Sequence, residues 1–422
     1  MDFRKLLTKL TNTSDPLYFL YLSNVIAMGL SVLTTYAWGH WVSSADLNFI
    51  QFVIRYGAML GFIAFPGMNE AANLAAGRGQ YRTALVALLL RFLGYFTAII
   101  VVFAVSHFSG RSLFPGIPAD ALPYLLWYAP AILLPAYAMG VFLSLNKHQW
   151  TAGVRVLTAL APLVFLGVLY FSGAMTGVGG QYIILMGAAH LLLILPMFIL
   201  LNRDNTGSSR ENNLISYGLQ GSAIRWPEFA LSFEIVVLAA FLSPLELTLF
   251  FLADRVCDHA KSFLSNNFSD AFARYSRLPD SRAVLAASID DFWRWLKRSP
   301  LYALGLLLII PAGMILWRRD YWAAIPICMT LVFLVLAGTP STFIRQGLIA
   351  TQQKFYMSLH TVLVSLSYLT TLIVLAPQLG VWGVVAARAV LVLFGSFLAI
   401  YFCFWRPGTM YNRNHVDRET HS

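Results

Sequence analysis

Charge is what this sequence has least of. Only 11% of its 422 residues are Asp, Glu, Lys or Arg, where a soluble domain carries about 25%. A large water-soluble α core is excluded, because the apolar segments lack the polar outer faces it would need. Cysteine is scarce as well. Cys257, Cys328 and Cys403 all fall in apolar segments, which leaves no disulfide or zinc framework and reads as core packing. Alternating polar/apolar strands of about ten residues, the mark of an outer-membrane barrel, are missing. So are HExxH, GxSxG, a carboxylate cluster with metal spacing and a nucleotide-binding loop. Gly77–Gly79 is too short to cradle a phosphate. The chain therefore reads as neither an enzyme nor an ATPase, and no cofactor is expected.

Long apolar sequence is what the chain has instead. Hydrophobic residues make up 58% of it, and mean hydropathy is +0.68. Apolar runs of about 18–22 residues recur, each long enough to cross a bilayer. The expected fold class is an all-α polytopic membrane protein with about twelve spans. In the first half these are Leu17–Trp38, Leu47–Met68, Leu85–Ser106, Ala121–Ser144, Ala152–Ser172 and Gln181–Leu201. The second half adds Ala223–Leu242, Leu245–Phe268, Pro300–Trp317, Tyr321–Ile344, Met357–Ala376 and Val381–Trp405. Between them lies NRDNTGSSRENN, a polar linker. The expected organisation is a six-helix bundle over 1–201, a cytoplasmic linker over 202–221, a second bundle over 222–405 and a tail over 406–422.

The net charge of +10 has a topological cause. With both termini on one side of the membrane, that side collects Arg4, Lys5, Lys9, Arg78, Arg82, Lys147, Arg203, Arg210, Arg274, Arg277, Arg282, Lys297, Arg298, Lys354, Arg406, Arg413 and Arg418. The other side has only Arg111, Arg318 and Arg319 in its loops. Basic residues gather in short cytoplasmic loops, so both termini are expected in the cytoplasm, and nucleic-acid binding is not. The stretch Pro279–Ser299 has the pattern of an amphipathic helix at the inner interface, with Asp280 or Ser281 as its cap. Its Asp290–Asp291 pair reads as a solvated face and not as a metal site.

One stretch organises the rest. Ser243–Arg282 is apolar enough to span, yet its middle holds Asp254, Arg255, Asp258, His259 and Lys261. Charges at such depth face a protein interior or a water-filled path. Ser44–Arg82 echoes it with a shift of about 200 residues: Asp46 falls on Glu246, Leu47 on Leu247, Arg55 on Arg255, Ala71 on Ala271 and Arg82 on Arg282. At a helical rise of 1.5 Å per residue, Arg55 and Arg255 each sit roughly 15–18 Å below the external end of their spans.

Around Arg255 the charges are helically spaced. Asp254, Asp258, Lys261, Ser262, Ser265 and Ser269 form one stripe, and Arg255, His259, Ser262 and Asn266 an adjoining one. A purely structural network would pair Arg255 with Asp258 and Asp258 with Lys261. Arg55 has no acid in its own span beyond Asp46 and Glu70 near the ends. Gly57 and Gly61 form a GxxxG step suited to close helix packing. Glu234 and Arg388 lie deep enough to pair across a cavity. Arg91, Arg155, Arg225 and Glu228 lie near cytoplasmic span ends, where snorkelling is expected. His190 and His360 read as satisfied core histidines.

Two six-helix halves, a charged second and eighth span and the basic loops after them resemble the multidrug/oligosaccharidyl-lipid/polysaccharide exporter superfamily. The residues carrying the likeness are Asp46–Arg82 and Ser243–Pro279, and the polysaccharide and O-antigen flippases fit best. The resemblance implies two pseudo-symmetric six-helix bundles around a central cationic cavity in the inner membrane. It also implies an undecaprenyl-diphosphate-linked oligosaccharide as cargo, surrounding membrane lipids, and a polysaccharide polymerase and export machinery as partners. Arg55, Arg255, Lys261 and Arg388 would line the cavity, with Glu234, Asp254 and Asp258 as candidates for ion coupling. A drug or metabolite cation antiporter of the same superfamily is the first alternative, kept open by the three acids. A membrane polysaccharide polymerase or ligase is the second. It is disfavoured by the short external loops, the longest of which offers only His107 and Arg111.

Overall fold

A computed structural model of the chain describes residues 16–109, 114–115, 122–173, 177–195, 231–265, 281–315, 319–350 and 354–404, with scattered positions between 214 and 222 and between 271 and 278. The basic N-terminus, the linker Asn202–Asn213, Arg225, Glu228, Asn266, Ser269 and the tail from Trp405 lie outside the described residues. So does the first part of the seventh span.

Among the described residues there is no strand. The helices are α1 (Pro16–Trp41), α2 (Ser44–Ile63), α3 (Met68–Gly77), α4 (Tyr81–Ser109), α5 (Leu122–Ser144), α6 (His148–Phe171) and α7 (Val178–Leu191). They continue with α8 (Glu234–Phe241), α9 (Pro244–Ser265), α10 (Ser281–Met314), α11 (Ala324–Ala350), α12 (Lys354–Leu379) and α13 (Val381–Phe404). Six of them, α4, α5, α6, α11, α12 and α13, combine the length and hydropathy of a membrane span without qualification. The polar residues carried by α2 and α9 lower their hydropathy. The chain is an all-α polytopic membrane protein.

Its contacts form two compact units, Met1–Thr248 and Leu249–Ser422, with the boundary inside α9. In the first unit α1 packs along α6, α5 packs against α6 and α7, and α3 lies between α4 and α5. Small residues let these helices approach closely. Beta-carbons at Gly57 and Gly61 of α2 would run into Ile132 of α5, and one at Gly187 of α7 would meet the Trp127 carbonyl. The expected packing role of the GxxxG step is what the structure has. Buried tyrosines bind backbone across helices, Tyr95 Oη donating to Leu125 O at 3.2 Å and Tyr137 Oη to Ala84 O at 2.5 Å. In the second unit α10 packs on α11, and α13 on both α11 and α12.

The structure departs from the expected spans in two places. The second span was expected to run to Met68, but α2 stops at Ile63. Pro66 has no N–H and pushes the residue before it out of the helical region, and Phe65 takes a left-handed φ of 50°. The short helix α3 follows. Carbonyls at the end of α2 are left without intrahelical donors, and Arg91 of α4 supplies them. Its Nε donates to Ala64 O and its Nη2 to Gly61 O, both at 3.3 Å, and its Nη1 to Asn69 Oδ1 at 2.5 Å. Arg91 is 6% exposed, so it is a buried clamp; it does not snorkel. Arg155 likewise turns inward, donating from Nη1 to Leu20 O of α1 at 3.2 Å.

The second departure is at Pro300. An interfacial helix over Pro279–Ser299 and a separate ninth span were expected. The two are one helix, α10, of 34 residues. Proline inside a helix removes the hydrogen bond to the carbonyl four residues back, here Leu296 O. Ser299 Oγ donates to that same carbonyl at 2.9 Å, which is how a membrane helix absorbs such a break.

Candidate functional site: the charged faces of α2 and α9

The expected repeat is visible in local geometry. Ser43 caps α2, its Oγ accepting from Asp46 N at 3.1 Å and donating to Asp46 Oδ2 at 2.7 Å. Ser243 stands in the same relation to α9. Its Oγ donates to Glu246 Oε2 at 2.7 Å, and its backbone N–H donates to the same oxygen at 2.9 Å. Both are reciprocal capping arrangements. Residues 43–48 and 243–248 share the same succession of exposed, half-buried and buried positions. Asp46 also ties α2 to the start of α7, its Oδ1 accepting from Gly179 N at 3.1 Å.

Below the cap α2 has two unlike sides. Ile50, Val53, Gly57, Leu60 and Gly61 are buried. Ile54, Arg55 and Phe62 are half-buried and Ala58 is exposed, and these four lie together at helical spacing. Arg55 therefore belongs to the accessible side of its helix. α9 divides the same way, with Leu249, Ala253, Cys257, Ala260 and Leu264 buried. Arg255, Val256, Asp258 and His259 are half-buried.

The acids near Arg255 have cations beside them. Asp254 is 4% exposed, and its Oδ1 lies 3.7 Å from Nη2 of Arg388 on α13. Lys261 Nζ lies 3.0 Å from Asp258 Oδ1. The expected Asp258–Lys261 pair is present. Arg388, expected as a cavity cation, stands against Asp254 within the second unit. Glu234, expected deep enough to pair across a cavity, opens α8 and is 7% exposed. The side chain of Ser262 lies outside the described residues.

Two residues on α2 were missed although their spacing announces them. Asn48, Gln51 and Arg55 recur at steps of three and four, and Asn48 and Gln51 are both buried. Asn48 Nδ2 donates to Pro244 O at 2.8 Å, and Thr248 Oγ1 donates to Asn48 Oδ1 at 3.1 Å. Positions 48 and 248, matched in the repeat, thus touch each other.

His190 and His360 are core residues, as expected. His190 Nδ1 is 2.6 Å from Met186 O and His360 Nε2 is 2.9 Å from Gly395 O. Cys257 and Cys328 are buried thiols; the side chain of Cys403 lies outside the described residues. Asp290 pairs with Arg294 at 2.6 Å, and Asp291 Oδ2 accepts from Tyr275 Oη at 2.8 Å. Among the described residues no group of His, Cys, Asp and Glu is arranged to hold a metal.

No protein-family model and no curated protein matches the sequence. Solved structures resemble its fold. The lipid II flippase MurJ in an inward closed conformation is similar over 90% of this chain and 86% of its own, with a TM-score of 0.62 at 13% identity. A MATE transporter in complex with MaL6 is similar over 94% and 97%, with a TM-score of 0.61 at 15% identity. An inward-facing multidrug resistance MATE family transporter of the MOP superfamily is similar over 96% and 97%, with a TM-score of 0.55 at 13% identity. The chain has the fold of these transporters over nearly its whole length.

Proposed function

We propose that the chain is a transporter, and specifically a flippase for a lipid-linked oligosaccharide. It moves an undecaprenyl-diphosphate-linked glycan across the inner membrane for polysaccharide biosynthesis by alternating access. The observation that carries this reading is the pair Arg55 and Arg255, in matching register on the accessible sides of two matching helices. A diphosphate crossing about 30 Å of hydrocarbon needs a shielded polar path and fixed cations along it. Arginine suits the task because its planar fork holds two phosphate oxygens at once.

The same reading divides the chain into bundles over 1–201 and 222–405, joined by the linker 202–221, with both termini cytoplasmic. It gives Lys261 and Arg388 to the path alongside the two arginines. Glu234, Asp254 and Asp258 are its candidates for ion coupling, and a polysaccharide polymerase with its export machinery would take the product. The second reading, a cation antiporter for drugs or metabolites, draws on the burial of Glu234 and Asp254 and on the MATE likeness. It needs acids that face the cargo.

Replacing Arg55 separates the two. Arg55→Ala should abolish lipid-linked glycan export while the protein is still inserted at normal level, and Arg55→Lys should restore it in part. Full export by an inserted Arg55→Ala protein would sink the flippase reading. Drug resistance that is lost on replacing Glu234, with export unchanged, would favour the antiporter.

A further inference from the structure

Gln51 stands one turn outward of Arg55 on α2, and its state contrasts with that of its neighbour Asn48. Both ends of the Asn48 amide are used, one on Pro244 O and one on Thr248 Oγ1. Gln51 is just as buried, at 4% exposure, yet among the described residues its Nε2 meets no hydrogen-bond partner. A buried amide N–H without a partner destabilises the fold. A methionine or leucine would fill the same volume without that cost. Such a donor would serve something that binds against α2 at this level.

Its position says what that something is. Four residues of helix separate Gln51 from Arg55, about 6 Å along the axis, and spacing puts both on one side. Arg55 holds one phosphoryl group with its fork. A neutral N–H donor one turn away reaches a second phosphoryl group attached to the first, but has nothing to meet when only one is present. We infer that Gln51 is a specificity-determining residue that donates to the second phosphoryl group of a diphosphate held at Arg55. It would make the site prefer a diphosphate over a monophosphate. This rests on the flippase reading, and the test keeps the two separate.

The test measures binding of undecaprenyl diphosphate and of undecaprenyl monophosphate to the purified full-length protein in detergent, with thermal stability recorded for each variant. A hydrogen bond to a charged oxygen is worth on the order of tenfold in Kd. Gln51→Met should weaken diphosphate binding about tenfold, leave monophosphate binding within about twofold, and melt at or above the wild-type temperature. Gln51→Glu, the same size but with an acceptor in place of the donor, should weaken the diphosphate further. Arg55→Ala should weaken both ligands. If Arg55→Ala does so and Gln51→Met keeps the wild-type preference, the flippase reading stands and the inference about Gln51 falls. A Gln51→Met protein that melts lower marks the amide as structural support and also overturns it. If neither variant changes binding, both readings fall.

Discussion

α2 and α9 start alike and diverge within three turns. Each begins with a serine whose hydroxyl is bonded to a carboxylate three residues on, and each carries an arginine in the fourth turn, at positions 55 and 255. Below the cap α9 is a helix of charges in which Asp254 lies against Arg388 and Asp258 against Lys261. α2 places its arginine among Ile54, Ala58 and Phe62, with neutral amides above it. The two arginines therefore differ in what their removal disturbs. At 255 a substitution falls on a helix whose neighbouring acids are held by Arg388 and Lys261, whereas at 55 it falls on a face of apolar residues. α2 instead has its support at its end, where Arg91 closes a broken helix.

That contrast can be broken or sharpened by measurement. The largest effect is expected from Arg91→Ala, which strips donors from the Gly61 and Ala64 carbonyls inside the first unit. The cost should be about 3 kcal/mol, read as a lower melting temperature and a smaller inserted fraction. Arg91→Lys should recover little, since one ammonium cannot reach three acceptors in different directions.

Asp254→Ala comes next. Removing one partner of a buried ion pair costs about 3 kcal/mol, the low end of the range because the Arg388 side chain is 18% exposed. Adding Arg388→Leu to it should return much of the lost stability, because the pair is then gone as a unit. If the double variant is no more stable than Asp254→Ala, the two side chains are not coupled. The smallest effect is expected at the caps. Ser43→Ala and Ser243→Ala should each cost about 1 kcal/mol, and by equal amounts if the two helix starts are equivalent. A clear inequality would show that the likeness of the two starts does not extend to their energetics.

Much of this was legible in the sequence, and the reasons it was or was not are local. The caps, the arginines and the Gly57–Gly61 step are set by spacing along one helix, which sequence displays directly. The stripe Asn48–Gln51–Arg55 was equally visible and was passed over because amides stand out less than charges. The Asp254–Arg388 contact joins residues 134 positions apart, and spacing along a chain carries no sign of it. Arg91 was misplaced for a related reason. Its depth was counted from the end of its own span, while its partners are carbonyls freed by Pro66 on another element. The run into α10 was cut at Pro300, where the sequence shows the missing N–H but not the serine hydroxyl that replaces it.

The continuity of α10 has a mechanical consequence. Its 34 residues make a rod about 51 Å long, far more than about 30 Å of hydrocarbon. Its first turns are held against the ends of α11 and α13 through Leu285, Ile289 and Phe292 packed on Ile344, Leu348 and Ala399. The roughly 20 Å of helix that exceeds the hydrocarbon is therefore tied to α11 and α13, so a spin label at Asp290 should report displacement of the ends of those two helices and not motion of α10 alone.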